Sequence, residues 1–313
     1  MAYKVMGIVA GRHNGNCEIL TKEALAACQE QGAECTLINL YDYKILPCTG
    51  CEACTMSMGQ GKKPVCVLKD KDDVDKIVQH MHQQDGIIIG CPTYDLMPSA
   101  LYTMFTQRFL AYELAFLLKI GAVQRDPHLV AGVIANGGSC HDWQSLALES
   151  IGASMFTQSI RVIDQFMAIR NGRPGNVFLH PEQLERARRL GENVLRSIAT
   201  PPEERTWLGD PDAGLCPNCH SSLIMRGEPH WNGVCYPYEC PVCGAGGDLV
   251  TGEDGRSRFV IAPDGLTFDR NKNEGREKHL DEINATREHF FAHQEEVKAG
   301  MAKYRELTFP GLD

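Results

Sequence analysis

The chain has 313 residues, 43% of them hydrophobic and 23% charged, with a formal net charge of −9. That is material for one large core with something smaller attached, and the balance excludes a disorder-dominated chain. The acidic surplus argues against nucleic acid as a partner. No apolar run reaches membrane-spanning length, because the best, 110–123, is interrupted by Glu113 and Lys119.

From Met1 the chain leads directly into an apolar strand at 3–10, with no signal peptide ahead of it. Helical spacing follows at 19–31, a second strand at 34–40 and a second helix at 73–84. Residues 86–90, apolar on both faces, read as a central parallel strand. A long helix is expected over 99–120, then a strand at 129–135, a helix at 143–152, a fifth strand at 160–166 and a helix at 181–198. Strands alternating with helices predict an α/β fold, a flavodoxin-like doubly wound sheet of five parallel strands, with its ligand beyond their carboxyl ends.

Three strand-end loops look able to hold that ligand. In the first, Gly11 and Gly15 permit tight turns, Asn14 and Asn16 offer amides, and the following helix presents free N–H groups, which together suit a phosphate. It lacks the lysine and glycine spacing of a nucleotide P-loop. After the third strand, Pro92 stiffens the turn, Tyr94 offers an aromatic face, and Thr93 and Asp95 supply polar atoms for a planar ring. After the fourth, Asn136, Gly137 and Gly138 let backbone approach closely. Each loop alone is an ordinary turn; together they fit a mononucleotide.

Fourteen cysteines punctuate the chain, and nine fall into two groups, 48–66 and 216–243. Metal-ligand spacing rather than a secreted disulfide framework implies a reducing, cytoplasmic compartment. Cys48, Cys51 and Cys54 stand two residues apart, and Cys66 follows after eleven more. Three close thiolates plus a distant fourth is how a loop wraps a 4Fe-4S cluster. Metal-free thiols or a redox-active pair are the alternatives. Cys28 and Cys35 read as small buried hydrophobes, and Cys140 beside His141 as a loop thiol.

These motifs, in this order, resemble the iron–sulfur flavoprotein branch of the NADPH-dependent FMN reductase superfamily. The resemblance rests on Asn14, Gly15, Asn16 and Cys17; on Pro47 ahead of Cys48, Cys51 and Cys54; on Cys66 before the Lys69–Asp73 charge run; and on Cys91, Pro92, Thr93 and Tyr94. It covers about the first two hundred residues. It implies FMN, with Arg12, Asn14, Asn16 and Cys17 serving the phosphate and Pro92, Thr93, Tyr94, Asp95, Asn136, Gly137 and Gly138 lining the ring. It further implies a 4Fe-4S cluster near the flavin and a homo-oligomer, dimer or tetramer. Three departures stand out: Val9-Ala10-Gly11-Arg12 lacks the serine hydroxyl of the family's phosphate loop, Cys17 replaces a threonine donor, and the gap before Cys66 is longer than the family's compact spacing.

A Pro-rich, charged linker at 200–205 separates this 1–200 region from a second module at 206–262. Cys216 and Cys219, then Cys240 and Cys243, form two knuckles that supply four thiolates, as in a zinc ribbon. Trp231, Val234 and Tyr238 are the expected packing residues around a three-stranded sheet. A rubredoxin-type iron is the rival to Zn2+. The polar tail, 263–313, carries an expected amphipathic helix at 278–293 with Leu280, Ile283, Phe290 and Phe291 on one stripe.

The leading expectation is an FMN-dependent oxidoreductase that takes electrons from NAD(P)H or ferredoxin, through flavin and cluster, to a small organic acceptor or a protein partner. A cluster-free NAD(P)H-dependent FMN or quinone reductase is the second reading. A redox sensor docking partners through its ribbon is the third.

Overall fold

A computed structural model describes residues 2–124 and 126–311. The first half runs β1 (Lys4–Val9), α1 (Asn16–Glu30), β2 (Glu34–Asn39), α2 (Ala53–Gly59), α3 (Val74–Met81), β3 (Gly86–Tyr94), β4 (Met97–Pro98), α4 (Ala100–Thr106) and α5 (Leu114–Lys119). Then come β5 (Val130–Asn136), α6 (Ala147–Met155), β6 (Arg161–Ala168) and α7 (Pro181–Ala199). Five parallel strands lie in the order β2-β1-β3-β5-β6, with β4 a short antiparallel addition to β3. This is the flavodoxin-like doubly wound order, in which the direction of strand addition reverses between β1 and β3.

Alternation along the strands splits the core in two. Met6, Ile8, Ile87, Ile89 and Val133 face α3, α4 and α6, while Val5, Ile88, Val130 and Ile134 face α1 and α7. On the second face α1 and α7 approach closely: a Cβ at Gly191 of α7 would collide with the Ala24 carbonyl oxygen of α1. The Cys28 sulfur sits in the same seam, 3.3 Å from the Gly191 carbonyl oxygen.

The long helix expected over 99–120 is broken. α4 ends at Thr106, a 3-10 turn spans Phe109–Tyr112, and α5 starts afresh at Leu114 with Glu113 accepting from the Ala115 N–H at 3.1 Å. The break turns Arg108, 2% exposed, into the interior, where Asp72 receives it. An uninterrupted amphipathic pattern cannot reveal a buried ion pair with a residue 36 positions away.

The C-terminal region contains an antiparallel sheet of β7 (Met225–Arg226), β8 (Tyr238–Glu239), β9 (Gly246–Thr251) and β10 (Ser257–Ile261), one strand more than expected. Its core is formed by Phe259, Val242 and Ala245 around the cysteines, and Phe156 from the end of α6 joins the same cluster. Tyr238 packs against it, but Trp231 is 46% exposed and Val234 only half-buried; Tyr236 is the buried aromatic of this stretch. The tail folds as two helices, α8 (Asn273–Ala292) and α9 (Gln294–Arg305). Leu280 and Ile283 of α8 pack with Met58 and Phe116, whereas Phe290 and Phe291 are exposed. None of the described helices is long and apolar enough to cross a membrane.

Arg276 fixes the root of α8, donating to the Arg270 carbonyl at 2.7 Å and the Ser159 hydroxyl at 2.5 Å, and standing 3.5 Å from Glu113. Burial pushes Glu113 up to about 7, against the opposing pull of Arg276 and the Ala115 N–H. From its ordinary 4.5 to about 7, the folded chain therefore holds a proton that the unfolded chain has released. The resulting stability is complete below that window and is lost as pH rises through it. Stability measured from pH 5 to pH 8 should fall accordingly, and Glu113→Gln should flatten the slope. Separately, Gly191→Val should destabilise by about 1–3 kcal/mol or more through overpacking. Gly300→Ala, on the open surface of α9, should be neutral or stabilising by up to ~1 kcal/mol. Urea unfolding midpoints decide both.

Candidate functional site

At the carboxyl ends of β1, β3 and β5 the chain leaves a cleft of about 200 Å³. Gly11, Arg12, Gly15, Asn16 and Cys17 form one side, Pro92, Thr93 and Tyr94 the second, and Asn136, Gly137 and Gly138 the third. Asn14 and Asp95 do not line it. Asn14 takes a left-handed conformation (φ 55°), and its N–H is held by Glu18 at 3.0 Å. Asp95 and Leu96, both at positive φ, make the two-residue turn between β3 and β4. Pro92, Thr93 and Tyr94 belong to the end of β3 itself rather than to a loop.

Residue types explain the shape. The N-terminal residue of α1 is capped only by Gly15, with no side-chain acceptor, so first-turn N–H groups remain available to an anion. The Asn16 side chain is committed elsewhere: it donates to the Asn171 and Arg173 carbonyls, both at 2.8 Å, and accepts from the Val177 N–H at 3.3 Å. Cys17 is buried and its thiol is pushed well up by desolvation, so it stays neutral. Tyr94, 51% exposed at the mouth, keeps its phenol proton, partial burial raising its pKa.

Asn171 and Gly172, after β6, complete the cleft. They were not among the residues expected from sequence. The signal was there, since 169–175 is another Gly- and Asn-bearing loop after a parallel strand. A Cβ on Gly138 would lie 2.9 Å from the Gly172 Cα, so Gly138 leaves no room for a side chain. Asn171 donates to Asn136 at 3.0 Å and to Gln183 at 2.7 Å, while its own buried Oδ1 has no partner in the protein. A backbone cradle closed by glycines, with an orphaned amide oxygen and a bare helix N-terminus, fits FMN.

The C-terminal cysteines form a second site. Cys216, Cys219, Cys240 and Cys243 place their sulfurs within 4.8 Å of one another, and Cys216–Cys243 and Cys219–Cys240 are each 3.6 Å apart. A tetrahedral ion with metal–sulfur bonds of about 2.3 Å needs sulfurs roughly 3.8 Å apart, whereas a disulfide needs ~2.05 Å. Hydrogen bonding among the four drives Cys216 and Cys240 toward thiolate and keeps Cys219 and Cys243 protonated. A dication would complete the deprotonation. His220 takes the left-handed turn (φ 57°) that Gly244 (φ 80°) takes in the second knuckle, so the two turns match despite different residues.

Cys48, Cys51, Cys54 and Cys66 are arranged more loosely. Among the described residues they do not come together within 4.8 Å as the other four do. Cys48 and Cys51 are exposed, and Cys54 and Cys66 half-buried. Burial raises the Cys54 pKa, and Cys48 and Cys66 are near enough to add to it. The Ala53 N–H and Thr49 hydroxyl instead favour the Cys51 thiolate. Beside them Arg108 buries Nε and Nη2 without protein partners, and Tyr112 buries its hydroxyl likewise. Four thiols on one loop and orphaned donors behind them are a donor set suited to an anionic iron–sulfur centre.

A doubly wound sheet with a mononucleotide cradle at its switch point defines a flavin-dependent oxidoreductase. The profile of the NADPH-dependent FMN reductase family matches residues 3–153. An iron–sulfur flavoprotein of Methanocaldococcus jannaschii is 33% identical over 203 residues, covering 62% of this chain and 97% of that protein. The chain belongs to the NADPH-dependent FMN reductase family, with iron–sulfur flavoproteins among its relatives. A flavone synthase of Aspergillus candidus is 26% identical over 304 residues, covering 90% of this chain and 88% of its own. A solved flavone reductase shares the fold across 99% of both chains at TM-score 0.76 and 23% identity.

Asn16→Ala should release the 171–173 loop, weakening FMN binding at least tenfold in a fluorescence-quenching titration. Cys243→Ser should cost the protein its C-terminal metal, read by metal analysis, together with a clear drop in melting temperature.

Proposed function

We propose that this protein is an FMN-dependent oxidoreductase carrying a 4Fe-4S cluster on Cys48, Cys51, Cys54 and Cys66 and Zn2+ on Cys216, Cys219, Cys240 and Cys243. The observation that carries this reading is topological. The cysteine loop leaves β2 at the same sheet edge as the cleft, and Asn39 at that edge donates to the Gly11 carbonyl at 2.9 Å. On this reading the flavin and the cluster would sit on one rim of the sheet. The longer gap before Cys66 is spanned partly by α2 and the turn after it.

FMN bound here would accept a hydride or two electrons and release them together or singly. The chain's own part is positioning. The N-terminus of α1 and the Gly11–Gly15 turn would hold the phosphate, and Asn136, Gly137 and Gly138 would offer backbone to the ring. Arg12 lies exposed at the phosphate side and supplies the cleft's positive charge. Tyr94 holds a proton at Oη beside the ring position, and Thr93 donates to Gln144 at 3.4 Å, fixing that wall.

The substrate class we favour is a planar conjugated carbonyl compound, because the relative aligned across 90% of the chain is named a flavone synthase, and we propose that this chain works on such a compound in the reducing direction. NAD(P)H is the donor the family name suggests, and ferredoxin the alternative. We also read residues 1–200, 206–262 and 263–313 as three units, the whole as a homo-oligomer, and the reducing cytoplasm as its compartment.

A second reading, a cluster-free FMN reductase, is favoured by the spread of the four N-terminal thiols. One experiment separates them: the absorption spectrum of anaerobically purified protein, with iron, sulfide and zinc analysis on the same sample. The first reading expects a flavin band over a broad shoulder, with about four irons, four sulfides and one zinc per chain. Flavin and zinc without iron or sulfide would select the second. Anaerobic NAD(P)H oxidation in the presence of a flavone then tests the acceptor.

A further inference from the structure

The ends of the cysteine loop meet over a buried ion pair. Asp72 and Arg108 are 0% and 1% exposed at their side chains and bonded to each other. Asp72 also accepts from the Leu46 N–H at 3.0 Å, and Arg108 Nη1 donates to the Leu46 carbonyl at 3.0 Å. Both backbone groups of Leu46, two residues before Cys48, are therefore held by this one pair. Next to it, Lys44 and Asp73 exchange bonds of 2.8 and 2.9 Å. The span between these anchors contains all four thiols.

The guanidinium is only half used by the clamp. Nε and Nη2 are buried with no protein partner, and so is the Tyr112 hydroxyl. An unsatisfied buried donor costs about 1–3 kcal/mol, more when charged. Such a cost persists where something anionic completes the set. The Cys66 sulfur is the neighbour in reach of this guanidinium.

The geometry points to Arg108 as the positioning and charge-compensating residue of the cluster. One edge of its fork ties down the loop base through Asp72 and Leu46. The remaining N–H groups donate to the Cys66 thiolate and the cluster face behind it, with Tyr112 as a second donor. This rests on the cluster reading above. A cation and hydrogen bonds directed at ligand sulfurs stabilise the more negative, reduced state and so raise the potential.

The test is an anaerobic redox titration of the holoprotein, followed by electron paramagnetic resonance, with iron and sulfide counted in every sample. Arg108→Gln should lower the cluster midpoint by at least a tenfold change in the reduction equilibrium, ~59 mV for one electron. Arg108→Lys, which keeps the charge but cannot direct a planar fork past Asp72, should fall between wild type and Gln. Tyr112→Phe, which leaves the clamp intact, should shift in the same direction by a smaller factor. Loss of iron from Arg108→Gln with flavin retained also supports the assignment. If that variant does not fold, the Lys and Phe variants decide. Full iron with reduction equilibria within twofold of wild type in the Lys and Phe variants overturns the assignment while leaving the cluster in place. Wild-type protein without iron and sulfide overturns the cluster itself, and the assignment with it.

Discussion

At the first residue of α1, a side-chain amide with almost no solvent exposure joins two loops 155 positions apart. Asn16 bridges the turn after β1 to the loop after β6, which in turn is bonded to the end of β5 through Asn171 and Asn136. The cleft exists because these three strand ends are held in one arrangement before any ligand arrives. The cost of ordering Gly-rich backbone is large, and buried amides with satisfied donors offset it locally. Close α1–α7 packing beneath keeps the helix start aimed at the cleft. The same device frees the first-turn N–H groups: with Asn16 turned inward and glycine at the cap, no side chain competes for them.

The two cysteine groups are held in contrasting ways. In the C-terminal quartet each pair sits on a turn closed by its own backbone bonds, from His220 to Cys216 and from Gly244 to Cys240. Arg270 covers the second turn by donating to the Pro241 and Val242 carbonyls. Three of the four sulfurs are buried, so this small sheet, with few apolar residues of its own, needs what binds there. The 48–66 loop is organised from its base and its back rather than from its tip. Its ends are fixed by Asp72 and Arg108, while the outer thiols, Cys48 and Cys51, remain in contact with solvent.

Much of this was legible from residue patterns. Doubly apolar strands such as 86–90, regular spacing between strands and helices, and Gly- and Asn-rich strand ends led to the sheet order and to nearly the whole cleft. Two knuckles of fixed spacing led to the quartet. What escaped shares one cause, dependence on partners distant in sequence. The 99–120 pattern is apolar enough for one helix, and only the buried Asp72 reveals why it turns at Arg108. Asn14 looks like a ligand residue, but its left-handed backbone and the Glu18 carboxylate make it part of the turn. Aromatic residues near knuckles look like core, yet Trp231 sits outward in the 230–234 turn, while Tyr236 packs over Gly246 and donates its hydroxyl to the Asp264 carbonyl at 2.9 Å. Asn171 escapes because its loop follows the fifth strand, and only its bond to Asn136 shows that it joins the cleft.

The seat of α8 has a consequence for how the two cysteine centres behave together. At its root Arg276 is tied to the segment that follows the quartet. Farther along, Arg287 lies in the notch left by Gly59, donating to its carbonyl at 3.1 Å where any Cβ would displace it. Gly59 ends α2, the helix that carries Cys54. One rigid rod thus touches the surroundings of both centres. A displacement of α8 along its axis would therefore be felt beside both cysteine groups at once, through Gly59 at one end and Arg270 at the other.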